Sequence, residues 1–121
     1  MPVSTIVPAM ASLLAMAGTP SHPGAELALS LHDSGGRTST VTLSCQPVGG
    51  SHPERGKGCR SLTAADGDFD NLPADPGMCP LIWAPVTATA TGHWHAKPVL
   101  YTHTYPNSCV AARESGHVFD F

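Results

Sequence analysis

Gly77-Met78-Cys79-Pro80-Leu81-Ile82-Trp83-Ala84-Pro85-Val86 is a run of large apolar side chains broken by a cysteine and two prolines. A run this apolar normally belongs in a core. Here a turn sequence, Asp75-Pro76-Gly77, leads into it, and Pro80 and Pro85 cannot give the backbone N–H groups that a central strand must donate. The segment therefore reads as a loop held extended, and the sheet has to be built from the chain on either side.

Upstream, Leu27, Leu29 and Leu31 alternate with Ala28, Ser30 and His32, the period-two pattern of a strand with one buried face. Asp33-Ser34-Gly35-Gly36 is a turn, and Val41, Leu43 and Cys45 continue the alternation, which predicts an antiparallel hairpin. Residues 46–58 read as a loop. Cys59, Leu62, Ala65 and Phe69 then fall near helical spacing, with Asp66-Gly67 as a stop. Downstream, residues 85–91 and 98–105 alternate again around a turn at His95-Ala96-Lys97, with Ala96-Lys97 at its centre, a register that sets His103 opposite Ala90. Ala111 to Ser115 suits a helical turn stopped by Gly116, and 117–121 reads as a terminal strand. The expectation is an α+β fold: one small domain with about five antiparallel strands and one or two short helices.

Composition agrees. With 121 residues, 41% of them hydrophobic, the chain suits one domain. Twelve glycines and twelve prolines favour short strands and turns over helix. A net charge of −3 with six Lys plus Arg supplies no basic stripe for phosphate, so nucleic acid is not an expected partner. Residues 3–17 are almost uncharged and end in Ala15-Met16-Ala17, which reads as a truncated secretory signal segment over 1–17, followed by a disordered leader over 18–25 and the folded domain over 26–121. A membrane span takes roughly 20 apolar residues, and Pro8 interrupts a shorter run, so no membrane partner is expected.

An even number of cysteines in a small chain with an export-like start implies two disulfides in a secreted, extracellular protein. The four can pair in more than one way, which spacing leaves open. A four-cysteine zinc site is the rival, but no pair has the two-residue spacing of zinc knuckles. Seven histidines raise a further metal reading, in which His93 and His95 share a face with His103 on the next strand. No Asp or Glu accompanies them, so solvated surface histidines and no metal or other cofactor are expected. Neither Gly-x-Ser-x-Gly nor His-Glu-x-x-His occurs, so the chain does not read as a hydrolase or any other enzyme.

The strand ending in Val41-Thr42-Leu43-Ser44-Cys45, His52-Pro53, Gly58-Cys59, Met78-Cys79-Pro80, Pro85-Val86-Thr87, Gly92-His93-Trp94, Tyr101-Thr102-His103, Cys109 and the terminal Val118-Phe119-Asp120-Phe121 together resemble the Streptomyces subtilisin inhibitor-like family of serine protease inhibitors, over residues 27–121. The resemblance implies pairing of Cys45 with Cys59 and of Cys79 with Cys109. It implies a protease-binding loop of Met78, Cys79, Pro80, Leu81, Ile82 and Trp83 whose reactive bond joins Leu81 to Ile82. It also implies a subtilisin-like partner, with chymotrypsin-like enzymes as further targets, and a homodimer. Elementary chemistry points the same way, because a peptide already held extended loses little entropy on docking to a protease, and a branched apolar Leu81 suits an apolar specificity pocket. Three positions depart from the family: Gly77 replaces a larger residue, Ala84 an acidic one, and Ala96 the usual turn glycine. The alternative reading is a secreted disulfide-bonded adhesive or structural domain of the same fold. For the dimer, an outer sheet face formed by Val86, Ala88 and Ala90 with Val99 and Tyr101 would need a second copy to cover it.

Overall fold

In the computed structural model, which describes residues 23–121, β1 (Ala25–Asp33) buries Ala25, Leu27, Leu29 and Leu31 and turns Glu26, Ala28, Ser30 and His32 the other way. β1 is central. β2 (Thr38–Cys45) pairs with one of its edges, β3 (Val86–Trp94) with the other, and β4 (Lys97–Tyr105) adds to β3, giving an antiparallel sheet of order β2-β1-β3-β4. Leu27 sits beside Leu43, Leu29 between Val41 and Ala90, and Leu31 beside Ala88, so one face carries the core. The signal-like segment 1–17 and the leader as far as His22 lie outside the described residues. The end of the expected leader belongs to the sheet: Gly24 N–H donates to the Gln46 carbonyl at 2.9 Å, and Ala25 pairs with both Cys45 and Trp94.

Four strands form rather than about five. The terminal segment 117–121 is a turn, because His117 takes a positive φ of 71° and the successive residues Val118 and Phe119 are both buried, whereas a half-buried strand would hide alternate ones. The first helix also lies upstream of its predicted place. α1 (Arg55–Ala64) ends where Asp66 and Gly67 adopt positive φ, and Phe69 opens a separate 3₁₀ turn, Phe69–Asn71. Gly56 and Gly58, poor helix formers, hid its start. α1 packs on β2, and the Cys45–Cys59 disulfide joins the two. Gly67 is needed at its turn, since a Cβ there would come within 2.3 Å of the Trp94 ring.

The β3–β4 turn is His95-Ala96, with His95 at φ 51°, one residue earlier than predicted. His103 therefore lies opposite Ala88, not Ala90. Burial corrects the outer face, since a pairing shift of two residues leaves every side chain on the same side of the sheet. Val86, Ala88 and Ala90 are buried on the helix side, with Val99 and Tyr101 packed against the same core. The outer face instead carries Thr38, Thr40 and Thr42 on β2, Thr87, Thr89 and Thr91 on β3, and Thr102 and Thr104 on β4, with Ala28 and Ser30 between them and Leu100 exposed near one edge.

His52, fully buried, fastens the C-terminal turn. Its Nε2–H donates to the Val118 carbonyl at 2.8 Å, its Nδ1 accepts from Glu54 N–H at 2.9 Å, and its ring meets Phe121 edge-on. Both nitrogens are satisfied only in the neutral ring, and burial holds its pKa below the ordinary 6.5. A base with a lowered folded pKa stabilises fully above its unfolded value and loses that contribution as pH falls toward the folded value. The melting temperature of the protein minus that of His52→Asn should therefore be largest at pH 7–8 and shrink as pH falls from about 6.5 to 5. A difference that does not change with pH would mean that His52 titrates as it does in the unfolded chain.

Candidate functional site

Between the 3₁₀ turn and β3 the chain makes no sheet ladder, and from Met78 to Trp83 its large apolar side chains stand in water. Leu81 is fully exposed, Met78 is 96% exposed, Trp83 76% and Ile82 57%. Scattered exposed leucines are ordinary, but a contiguous set of this size on one loop marks an interaction surface.

The backbone beneath these side chains is tightly held. The Cys79–Cys109 disulfide ties the loop to α2 (Ser108–Glu114) two residues before Leu81. Asn107, the N-cap of that helix, is 6% exposed and straddles Leu81: its Nδ2 donates to the Pro80 carbonyl at 3.2 Å and to the Ile82 carbonyl at 2.9 Å, while its Oδ1 accepts from Val110 N–H at 3.0 Å. Each amide hydrogen and the oxygen thus has a partner, so the side chain has one orientation that satisfies it. Ala84 N–H donates to the Pro106 carbonyl at 2.8 Å, closing the far side. With Ile82 and Trp83 exposed, hydrogen bonds rather than apolar packing hold the segment after Leu81. No side chain of Ala84 braces the loop, and a cleft of about 350 Å³ lies behind it, lined in part by Pro80, Ile82, Ala84 and Asn107.

The limb before Cys79 is anchored by charge. Asp75 N–H donates to the Arg113 carbonyl at 2.8 Å, and the Asp75 carboxylate accepts from His117 Nε2 at 2.6 Å. The Arg113 guanidinium fills the room a Cβ on Gly77 would take, 2.1 Å from such an atom. The structure thus gathers Met78, Cys79, Pro80, Leu81, Ile82 and Trp83 on one loop. It separates the histidines, because His93 faces outward beside Glu26 whereas His103 lies on the inner-face register between Tyr101 and Tyr105. Among the described residues no group of three or more His, Cys, Asp or Glu is placed to hold a metal.

The family model for subtilisin inhibitor-like domains matches residues 23–107. Protease inhibitor SIL-V2 of Streptomyces orinoci is 44% identical over 91 residues, which cover 73% of this chain and 84% of that protein. The chain belongs to the subtilisin inhibitor-like family. A subtilase-type protease inhibitor of Streptomyces fradiae is 35% identical, over 98% of this chain and 94% of its own. Among solved structures, Streptomyces caespitosus sermetstatin in complex with Bacillus licheniformis subtilisin superposes with a TM-score of 0.63 at 30% identity, covering 80% of this chain and 98% of that one.

In this subtilisin inhibitor-like chain, the residues that pattern reading passed over are Asn107 and the Asp75, Arg113 and His117 set. Asn107 had a signal, since an Asn before a helical run is an N-cap. The predicted helix began at Ala111, too late for the cap to be noticed. The charged set had none, because Asp75 lies far in sequence from Arg113 and His117.

Proposed function

We propose that this protein is a secreted inhibitor of subtilisin-like serine proteases, and of chymotrypsin-like ones, that presents residues 78–83 as a substrate with the bond between Leu81 and Ile82 as the reactive bond. The observation that carries the reading is the pairing of a fully exposed Leu81 with a backbone held on both sides of it by one buried side chain, Asn107. The names and bound partner of its relatives support the protease class. Two disulfides suit an oxidising compartment.

The chemistry follows from the tethers. A protease serine attacks the Leu81 carbonyl carbon, and breaking the bond frees the Ile82 amine. In an ordinary substrate that amine diffuses away. Here Asn107 and the bond from Ala84 to Pro106 keep it beside the acyl group, which Cys79 holds from the other side. Tethering of this kind gives the amine a large effective concentration, so the peptide bond re-forms in competition with hydrolysis. The exposed strand also pairs with the edge of the enzyme, so backbone hydrogen bonds add affinity while Met78 and Leu81 fill apolar pockets. Adding the purified, oxidised protein to a subtilisin should abolish activity linearly up to a one-to-one ratio. Rapid degradation of the protein with no loss of activity would leave the adhesive or structural reading in its place.

We further propose a homodimer that buries the outer sheet face. No element among the described residues covers it, and its middle carries small uncharged Thr, Ser and Ala side chains, with Glu26, His32 and His93 toward its ends. Sedimentation at micromolar concentration should give twice the monomer mass, and Thr89→Lys at the centre of the face should give monomer with inhibition intact. Monomer only for the unmodified protein would remove the dimer and leave the inhibitor reading standing.

A further inference from the structure

His117 closes α2 in a conformation that side chains seldom adopt, with φ at 71° directly after Gly116 at φ 60°. Its ring is bonded at both nitrogens: Nδ1 to Asp120 Oδ2 at 2.8 Å and Nε2 to Asp75 Oδ2 at 2.6 Å. Carboxylates accept and do not donate, so serving both requires a proton on each nitrogen, which only the imidazolium has. Asp75 is the last acidic residue before the loop. Its backbone N–H is fixed to α2 through the Arg113 carbonyl, Arg113 Nη1 donates to the Pro76 carbonyl at 3.2 Å, and the same guanidinium lies against Gly77. The chain from Asp75 through Gly77 is therefore clamped between α2 and the C-terminal turn, two residues from the bridged Cys79.

Resting on the inhibitory reading above, we propose that His117 is a positioning residue for the loop: as an imidazolium bridging Asp75 and Asp120 it fixes the limb that carries Met78, and on losing a proton it releases one carboxylate and loosens that limb. The groups facing it are Asp75 on the limb, Asp120 on the terminal turn, Arg113 on α2, and Lys57 and Arg60 of α1 across a shared cleft. The two carboxylates outweigh burial and hold the His117 pKa above its ordinary value, and the bond to His117 holds that of Asp75 below its own. For a base raised in this way the bridge is complete below about pH 6.5 and fades as pH rises through the folded value. Between those limits, near and above neutral, inhibition should weaken.

The test compares the protein with His117→Asn and Asp120→Asn. Asn tolerates positive φ but cannot reach both carboxylates. Against one subtilisin, the ratio of the two inhibition constants cancels the enzyme's own pH dependence. From pH 6 to 9 the advantage of the unmodified protein over His117→Asn should fall by about two- to fivefold, the size of a partly exposed ion pair. In Asp120→Asn the midpoint of this fall should move to lower pH, because a carboxylate that favours the charged ring is gone, and a merely structural role for His117 predicts no such move. In the free protein, the NMR amide shifts of Gly77 and Met78 should titrate together with the His117 ring. Amides that ignore the His117 titration, or a ratio constant with pH while inhibition persists, would overturn the proposal alone. Absence of inhibition at every pH, by the protein and by both variants, would overturn the inhibitory reading and the proposal with it.

Discussion

Replacing Leu81 with Lys should bring trypsin under inhibition while weakening the hold on subtilisin-like and chymotrypsin-like enzymes. The side chain at this position is fully exposed and its backbone is fixed by Cys79, Pro80 and Asn107, so the substitution changes what enters the specificity pocket and little else. A trypsin-type pocket ends in a carboxylate, which a leucine would leave buried and unpaired. Lysine pairs with it. Truncating one partner of such a buried charge pair costs about 2 to 5 kcal/mol, which corresponds to roughly thirtyfold to a few thousandfold in affinity for trypsin. Leu81→Gly should weaken inhibition of every target and leave the melting temperature nearly unchanged. If Leu81→Lys left the target spectrum as it was, or if Leu81→Gly unfolded the domain, Leu81 would not be the specificity residue.

Removing the Cys79–Cys109 bridge should turn the inhibitor into a substrate. In Cys79→Ser/Cys109→Ser the acyl side of the reactive bond loses its covalent tie, so after a cut the new chain ends drift apart and hydrolysis overtakes religation. Loss of alignment at a reacting centre is worth about a hundredfold or more, and net cleavage by subtilisin should speed up by that order. The bridge closes a loop with a sequence separation of 30, so the chain-entropy model assigns about 4 kcal/mol of stability to it. The control is Cys45→Ser/Cys59→Ser. With a separation of 14 it should lose about 3 kcal/mol. It ties α1 to β2, away from the loop, so while folded it should still inhibit stoichiometrically. Equal persistence of inhibition in both double variants would show that the bridge at Cys79 has no part in resisting cleavage.

What the sequence made legible follows from where physics is local. Leu27, Leu29 and Leu31 alternate because one face of β1 is buried, and that signal survives without knowledge of the partner strands. The prolines at 80 and 85 excluded a central strand for the same local reason, and the loop followed from them. The terminal Val118-Phe119 pair was misread as a strand because a residue other than glycine, His117, takes the positive φ of its turn, and because the bond that fastens it comes from His52, far away in the chain. The β3–β4 register slipped because a residue other than glycine, His95, takes the positive φ of the turn. At the site, exposure of Leu81 was readable, whereas the side chain that straddles it was not. The sequence showed Gly77 only as a smaller residue than the family's, and the packed fold shows Arg113 occupying its missing side chain's space.

Prolonged incubation with a catalytic amount of subtilisin, followed by reduction and mass spectrometry of the products, tests the substrate-like account most directly. One cut is expected, after Leu81, stopping short of completion because the held amine at Ile82 re-forms the bond, and purified cut protein returned to the enzyme should yield intact chain. Complete digestion, several cuts spread over the domain, or a single cut at a bond other than that between Leu81 and Ile82 would contradict it.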